Sequence, residues 1–267
     1  MPYISRIQRF SPDDGPGVRT TVFFKGCSLN CAWCHNPECI EPGESIAFYA
    51  EKCIGCGACN GQKIIPETGC PSGALKKDGF LLSPAEIVAE AARDRRYYRN
   101  GGGLTLSGGE PLLDADFAAE ICRIAAEQEI SVAIDTALHV PWENIEKVLP
   151  YRPLILADLK AADAQTHLRL TGADNGLILD NLRRIAESGN PYWLSIPVVP
   201  EANTAELPAI AEIVRSLPAM PERIRLLPYH DMGIRKEQIH SLPPRGRFTA
   251  PSEEEMHGYE ELFAPQA

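Results

Sequence analysis

Six short apolar runs punctuate the chain: TTVFFKG (20–26), GLTLSGG (103–109), ISVAIDT (130–136), PLILADLK (153–160), YWLSIPVV (192–199) and RIRLLPYH (223–230). None alternates strictly between apolar and polar positions. Each therefore reads as a strand buried on both faces, the pattern of a parallel sheet covered by helices. Between them, apolar residues recur at helical spacing in SPAEIVAEAARDRRYY (83–98), DADFAAEICRIAAEQE (114–129), PWENIEKVLP (141–150), ILDNLRRIAESG (178–189) and NTAELPAIAEIVRSLP (203–218). Ser83 and Asp114 sit where an N-cap belongs, with Pro84 in the first turn, and Gly189 suits the position just past a helix end. Alternating strands and helices predict an α/β fold with a parallel sheet or barrel, and six units are fewer than a closed eight-unit barrel needs. Residues 46–79 break the rhythm: they hold four cysteines among several Gly and Pro residues and show no period, as expected of a small insertion folded around a metal site. The Pro-rich polar tail from about residue 243 carries no predicted element.

Composition narrows the function. With 267 residues, 44% of them hydrophobic, the chain can bury one large core. A net charge of −10 argues against a nucleic-acid partner. Apolar runs such as LILA (154–157) are too short to span a bilayer, and the N-terminus MPYISRIQRF lacks the apolar stretch of a signal peptide. These features predict a cytoplasmic protein with no membrane partner.

The nine cysteines change the picture. In a reducing compartment they are expected to bind metal or act in redox chemistry rather than form disulfides. Cys122 stands apart on an apolar helix face and reads as packing. Cys27, Cys31 and Cys34 crowd into GCSLNCAWC, followed by Cys39. Four cysteines saturate a zinc ion or a cluster, whereas three on a [4Fe–4S] cluster leave one iron open. A structural zinc site with Cys39 as fourth ligand is the alternative. The loop follows the first strand, at the end where α/β barrels place their chemistry, which favours catalysis. A second set, Cys53-x2-Cys56-x2-Cys59-x10-Cys70-Pro71, matches the ferredoxin run except for its longer last gap. It predicts one fully ligated auxiliary [4Fe–4S] cluster, with a zinc knuckle as the alternative.

The text DGPGVRTTVFFKGCSLNCAWCHNPE resembles the activating enzymes of glycyl radical enzymes, a radical S-adenosylmethionine (SAM) family of which pyruvate formate-lyase activase is the best-known type. SGGE (107–110), IDTA (134–137), DLK (158–160) and LPYH (227–230) extend the resemblance over most of residues 4 to about 235. It implies a partial (β/α)6 barrel formed by residues 1–45 and 80–267, with 46–79 as a ferredoxin-like insertion. It implies that Cys27, Cys31 and Cys34 hold the cluster whose open iron takes the SAM amino and carboxylate groups. Trp33, Gly108, Gly109, Glu110, Asp135, Thr136, Asp158, Lys160 and His230 would then contact SAM, with a monovalent cation near its carboxylate. Ser195 is also expected at the SAM site, where the resembling activase typically has an arginine; it can hydrogen-bond but supplies no charge. Asp14 and Gly15 would lie where the partner's glycyl loop enters.

The implied reaction is reductive cleavage of SAM to a 5′-deoxyadenosyl radical, which removes a Cα hydrogen from a glycine of the partner. Flavodoxin or ferredoxin would supply the electron, and the activase would be a monomer. Two alternatives fit the cysteines as well: a radical SAM enzyme acting on a small molecule or another protein, and a non-catalytic Fe–S electron carrier or zinc module.

Overall fold

The computed structural model describes residues 1–59, 64–65 and 69–264. Parts of the expected 46–79 insertion (60–63 and 66–68) and the last three residues of the expected barrel segment lie outside these.

A strand that the apolar pattern does not reveal, β1 (Ile4–Ser11), opens the sheet and pairs antiparallel with β2 (Arg19–Phe24). Its sequence ISRIQRFS is largely polar and half exposed, so no buried run marks it. Arg6 instead lies over the Phe23 ring, 3.6 Å from its centroid. The hairpin of β3 (Ser45–Phe48) and β4 (Leu75–Asp78) forms a separate two-stranded sheet, which gives the aperiodic 46–79 stretch ordered edges. The other five runs become β5 (Gly103–Gly108), β6 (Ser131–Thr136), β7 (Leu154–Asp158), β8 (Tyr192–Val198) and β9 (Arg223–Pro228). The main sheet runs β1-β2-β5-β6-β7-β8-β9, parallel throughout except for β1. This is the expected α/β architecture with six parallel strands.

Eight α-helices accompany the described strands: α1 (Pro84–Ala92), α2 (Ala115–Glu127), α3 (Trp142–Glu146), α4 (Ala164–Thr171), α5 (Gly176–Ser188), α6 (Leu207–Arg215), α7 (Met232–His240) and α8 (Glu253–Glu261). Ser83 and Glu86 form a reciprocal capping box on α1, Asp114 accepts from the Phe117 N–H, and Gly189 ends α5 with φ +69°. Helix α4 escapes the apolar pattern because AQTHLRLT is mostly polar; Asp163 caps it by accepting from the Thr166 N–H at 2.8 Å. Helix α8 lies in the tail, where a Ser252–Glu255 capping box starts it and Met256, Tyr259, Leu262 and Phe263 pack on the core.

Period-two alternation sorts the strand residues. Val22, Phe24, Leu104, Leu106, Ile134, Leu194 and Ile196 join the core under the helices, together with Cys122, which is 1% exposed as packing requires. The opposite parity, including Arg19, Thr21, Thr105, Ser107, Asp135, Asp158, Ser195 and Arg225, carries the polar groups of the barrel interior. Hydrogen bonds across strands confirm the set: Arg19 Nε to Thr105 Oγ1 at 2.5 Å, and Ser107 Oγ to Asp135 Oδ2 at 2.6 Å.

Candidate active site

The parallel strands end together, and their C-terminal ends carry the candidate residues. After β2 the chain makes the cysteine loop, held by backbone bonds on three sides. Gly26 N–H donates to the Cys39 carbonyl at 2.8 Å, while Asn30 and Ala32 N–H groups donate to Thr171 and Leu170 carbonyls at the end of α4 at 2.7 and 2.9 Å. Gly246 N–H donates to the Ala32 carbonyl at 3.0 Å, and Lys236 Nζ to the His35 carbonyl at 2.7 Å. Burial pushes the Cys27 and Cys34 thiols up to about 12 and raises that of Cys31. Such thiols ionise when a cation binds them. Among the described residues no three His, Cys, Asp or Glu side chains are grouped so as to hold a single metal ion; cluster cysteines bind separate irons and need not converge on one point. Cys39 is fully buried behind the loop, its thiol beside Ser5 and Glu38.

The end of β5 fits against this loop through glycines. A Cβ on Gly109 would stand 2.1 Å from the Gly26 carbonyl oxygen and 2.6 Å from that of Cys39. Gly108 has φ +106°, and a Cβ there would meet Phe24 N at 2.4 Å. Close backbone approach thus dictates both glycines. Glu110 is buried and engaged at both oxygens. Oε1 accepts from Leu112 N–H at 3.1 Å, Oε2 from Ala137 N–H at 2.9 Å, and the Thr136 hydroxyl lies 2.9 Å from each. Burial pushes Glu110 up to about 7. Asp135 is likewise pushed up to about 7, first by burial and then by Asp158. Asp158 accepts from Lys160 Nζ at 2.6 Å. Burial opposes the Lys160 charge, but Asp158 and the neighbouring Cys31 more than offset it, so its pKa is raised.

On β8, Ser195 is fully buried and accepts from Arg225 Nη2 at 2.7 Å and Nε at 3.2 Å. His230, past the end of β9, stacks on His35 with ring centroids 3.6 Å apart. His35 Nε2 and His230 Nδ1 are buried with no partner among the described residues. Trp33, 7% exposed, packs with Leu170, Val199 and Tyr229 and meets Phe248 edge-on. Asp14 lies in the β1–β2 loop, at the opposite end of β2 from the cysteines. Its Oδ2 accepts from Ser11 Oγ and Thr21 Oγ1 at 2.6 and 2.7 Å, and its carbonyl from Thr105 Oγ1 at 2.7 Å. Gly15 has φ +129° and packs on the buried Arg19.

The Radical SAM superfamily model matches residues 21–214. The (2S)-3-sulfopropanediol dehydratase activating enzyme of Klebsiella oxytoca is 37% identical, covering 75% of this chain and 72% of its own. The chain belongs to the glycyl radical enzyme activating enzymes of the radical SAM superfamily. The activase is also 33% identical to the trans-4-hydroxy-L-proline dehydratase activating enzyme of Clostridioides difficile, over 98% of this chain and 96% of that one. The crystal structure of a domain of a pyruvate-formate lyase-activating enzyme from Bacteroides vulgatus superposes with a TM-score of 0.52 at 35% identity, over 61% of the activase and 93% of the domain.

Radical SAM enzymes carry a [4Fe–4S] cluster and use SAM, and the donor set of the activase fits both. Three half-buried cysteines on one hydrogen-bonded loop have Glu110 and Asp158–Lys160 as electrostatic neighbours, the former at Cys27 and the latter at Cys31. His35 Nε2 and His230 Nδ1, buried without a partner among the described residues, are polar atoms that a bound polar group would satisfy. Away from these strand ends, Cys53, Cys56, Cys59 and Cys70 line one apolar cavity of about 270 Å³ with Phe48, Ile54, Pro71 and Leu75. Gly55 and Gly57 have φ +63° and +74° and turn the chain around it. Backbone N–H of Leu75 and the Ser72 hydroxyl pull the Cys70 thiol down to about 7.

Two polar residues of this site escape the motif reading. His35 sits inside the CHNPE text and could have been found from its place beside Cys34. Arg225 has no motif signal; the cue was the inward parity it shares with Arg223 and Leu227.

Proposed function

We propose that the activase performs its family's reaction at the strand ends just described: reductive cleavage of SAM to a 5′-deoxyadenosyl radical that takes a Cα hydrogen from a glycine of a partner enzyme. The observation that carries this reading is the seating of the SGGE turn on the cysteine loop, where Glu110 N–H donates to the Gly26 carbonyl at 2.7 Å, next to Cys27. Cys27, Cys31 and Cys34 would hold the cluster, which would supply the electron for cleavage. Glu110 keeps a lone pair for the SAM ammonium beyond its three protein donors. Lys160 serves the carboxylate end and Thr136 orients Glu110 through its hydroxyl, with Asp135 and Asp158 available to a monovalent cation. His230, supported by His35, and Trp33 border the nucleoside end. Ser195 acts through Arg225. Asp14 and Gly15 shape the floor that the partner's glycine reaches.

Residues 46–79 form an inserted module for a second, fully ligated cluster in the four-cysteine cavity, within a barrel built of 1–45 and 80–267. The cavity's apolar walls and its four thiols support that reading. Flavodoxin or ferredoxin is the reductant, the activase works as a cytoplasmic monomer, and among the described residues no helix is long and apolar enough to cross a membrane.

The test is anaerobic reconstitution with iron and sulfide, followed by iron counting, reduction, SAM addition and assay of 5′-deoxyadenosine. About eight irons per chain are expected for two four-iron clusters, with cleavage lost in Cys34→Ala. Cys56→Ser is expected to lower iron to about four while leaving the SAM cluster loaded. Glycyl-radical EPR across a panel of glycyl radical enzymes then identifies the partner. A loaded, reducible cluster that cleaves no SAM, with or without any partner, would overturn the assignment.

A further inference from the structure

The main sheet is open, and β1 and β9 are its two edges. One side chain reaches across that opening. Arg225, on β9, donates from Nη1 to the backbone carbonyl of Asp13 at 2.9 Å, in the loop that joins β1 to β2. The same guanidinium donates from Nε and Nη2 to Ser195 Oγ at 3.2 and 2.7 Å. Ser195 is the register partner of both Asp158 on β7 and Arg225 on β9, so this anchor belongs to the row carrying Asp158. Arg225 therefore connects the floor loop of Asp13–Asp14 to the cofactor end of the barrel, across the side from which a polypeptide can enter.

Three features suit it to a peptide. An arginine has five N–H donors, and three are used here; the other two have no partner among the described residues. Its bond to the loop is to a neutral backbone carbonyl, which an entering carbonyl can replace at little cost because the two acceptors are alike. The adjoining wall is Trp193, over which Arg223 and Arg225 lie with centroid distances of 5.2 and 5.6 Å. A guanidinium held against an indole keeps its plane fixed and its donors directed. The charge also offsets an interior rich in carboxylates: Arg225, like Lys160, is a cation that acts on Asp135, beside which Asp158 and Asp14 also lie.

We propose that Arg225 is the positioning residue for the partner's glycyl segment, donating to its backbone carbonyls at the open side of the barrel while Ser195 fixes the guanidinium. It is distinct from the SAM set because its free donors lie between Ser195 and Asp13, whereas Glu110, Thr136 and Lys160 gather at the cysteine loop. This inference rests on the activase reading above.

The experiment compares wild type, Arg225→Gln and Arg225→Lys on the glycyl radical enzyme that the EPR panel identifies. It reads SAM Kd, partner KM, glycyl spins per partner and 5′-deoxyadenosine released per spin. SAM Kd within about twofold of wild type certifies the fold and the cofactor site. Loss of charge-assisted donors to peptide carbonyls is expected to raise partner KM about tenfold. It is also expected to release more 5′-deoxyadenosine per spin, because the radical then forms beside a poorly placed glycine. Arg225→Lys keeps the charge but cannot bridge Ser195 and Asp13 together, so it is expected to fall between the other two; it also replaces Arg225→Gln should that variant fail to bind SAM. A rise in SAM Kd with partner KM unchanged would assign Arg225 to the cofactor and overturn the proposal. So would wild-type behaviour in all four readouts. A wild-type activase that gives no glycyl radical on any partner would instead overturn the functional reading, before any variant is compared.

Discussion

Removing the Asp78 carboxylate tests how firmly the cysteine hairpin is tied to the cluster loop. Lys25 follows β2 directly and precedes Gly26 and Cys27, and its side chain is 1% exposed. Its ammonium donates to Asp78 Oδ2 at 2.9 Å, the Glu38 carbonyl at 2.7 Å and Ser45 Oγ at 3.1 Å. Asp78 ends β4 and also accepts from Ser5 Oγ on β1 at 2.7 Å. One carboxylate thus joins β1, the hairpin and the segment leading to Cys27. In Asp78→Ala the ammonium stays buried with two neutral acceptors. Breaking one side of a buried pair costs about 3–5 kcal/mol. At roughly 2–4 °C per kcal/mol for a chain of this size, Tm should fall by about 6–20 °C. The double variant Lys25→Met/Asp78→Ala removes the stranded charge and should be more stable than Asp78→Ala alone, because replacing both partners by apolar groups is often close to neutral. Anaerobic melts of the reconstituted protein at one scan rate read the whole cycle. A single variant within about 2 °C of wild type, or a double variant no better than that single, would refute the reasoning.

Three further outcomes are expected. Gly109→Ala drives a methyl against the Gly26 and Cys39 carbonyls at 2.1 and 2.6 Å; overpacking of this kind costs about 1–3 kcal/mol, and iron analysis should show reduced loading on the displaced Cys27 loop. Glu110 is held up to about 7 by burial, so the native state without SAM binds more protons than the unfolded chain between the ordinary carboxylate range and about 7. Its stabilising contribution is therefore present in acid and lost as pH rises through about 7. His35, His167, His230 and His240 are depressed, first by burial, and work in the opposite direction, so the measurement is the difference between wild type and Glu110→Gln in urea midpoint at pH 5.5 and 8; an unchanged difference counts against the assignment. Ser252→Ala removes the α8 capping box, which should cost about 1 kcal/mol in a denaturant midpoint while iron content stays at the wild-type value.

Five of the six parallel strands were legible as largely apolar runs, the mark of a strand covered on both sides; β9, RIRLLP, is an edge strand with no buried residue, and its half-buried Ile224 and Leu226 carried the signal. β1 left none. An edge strand with a half-exposed face needs few apolar residues, and Arg6 contributes its guanidinium to the Phe23 ring where an aliphatic side chain would have announced a strand. The hairpin was hidden for a related reason: its second strand is LKKD, which has a single buried hydrophobe, Leu75, and is otherwise tied down by the ion-paired Asp78. Helix α8 was masked by the prolines ahead of it, although Ser252 and Glu255 had the spacing of a capping box.

The candidate site divides along the same physical line. Residues at strand ends were readable because they fall in short segments with fixed spacing: on the proposed reading Cys27, Cys31 and Cys34 reach one cluster from one loop, while Gly108 and Gly109 let two backbones touch. Arg225 obeys no such spacing. Its partners are Asp13 and Ser195, one at the far end of the chain and one on the neighbouring strand, and the sheet must first be left open between β1 and β9 before a side chain there has anything to bridge. A residue whose contacts cross the seam of a partial barrel is specified by topology, so it becomes visible when the strand order is known. The same reasoning separates the two roles the chain must combine. On the proposed reading, SAM cleavage depends on short segments at the strand ends, whereas delivery of a particular partner's glycine would be set by residues lining the open side, where Arg223, Trp193 and Arg225 stand. Changes there should alter which partner is activated before they alter whether SAM is cleaved.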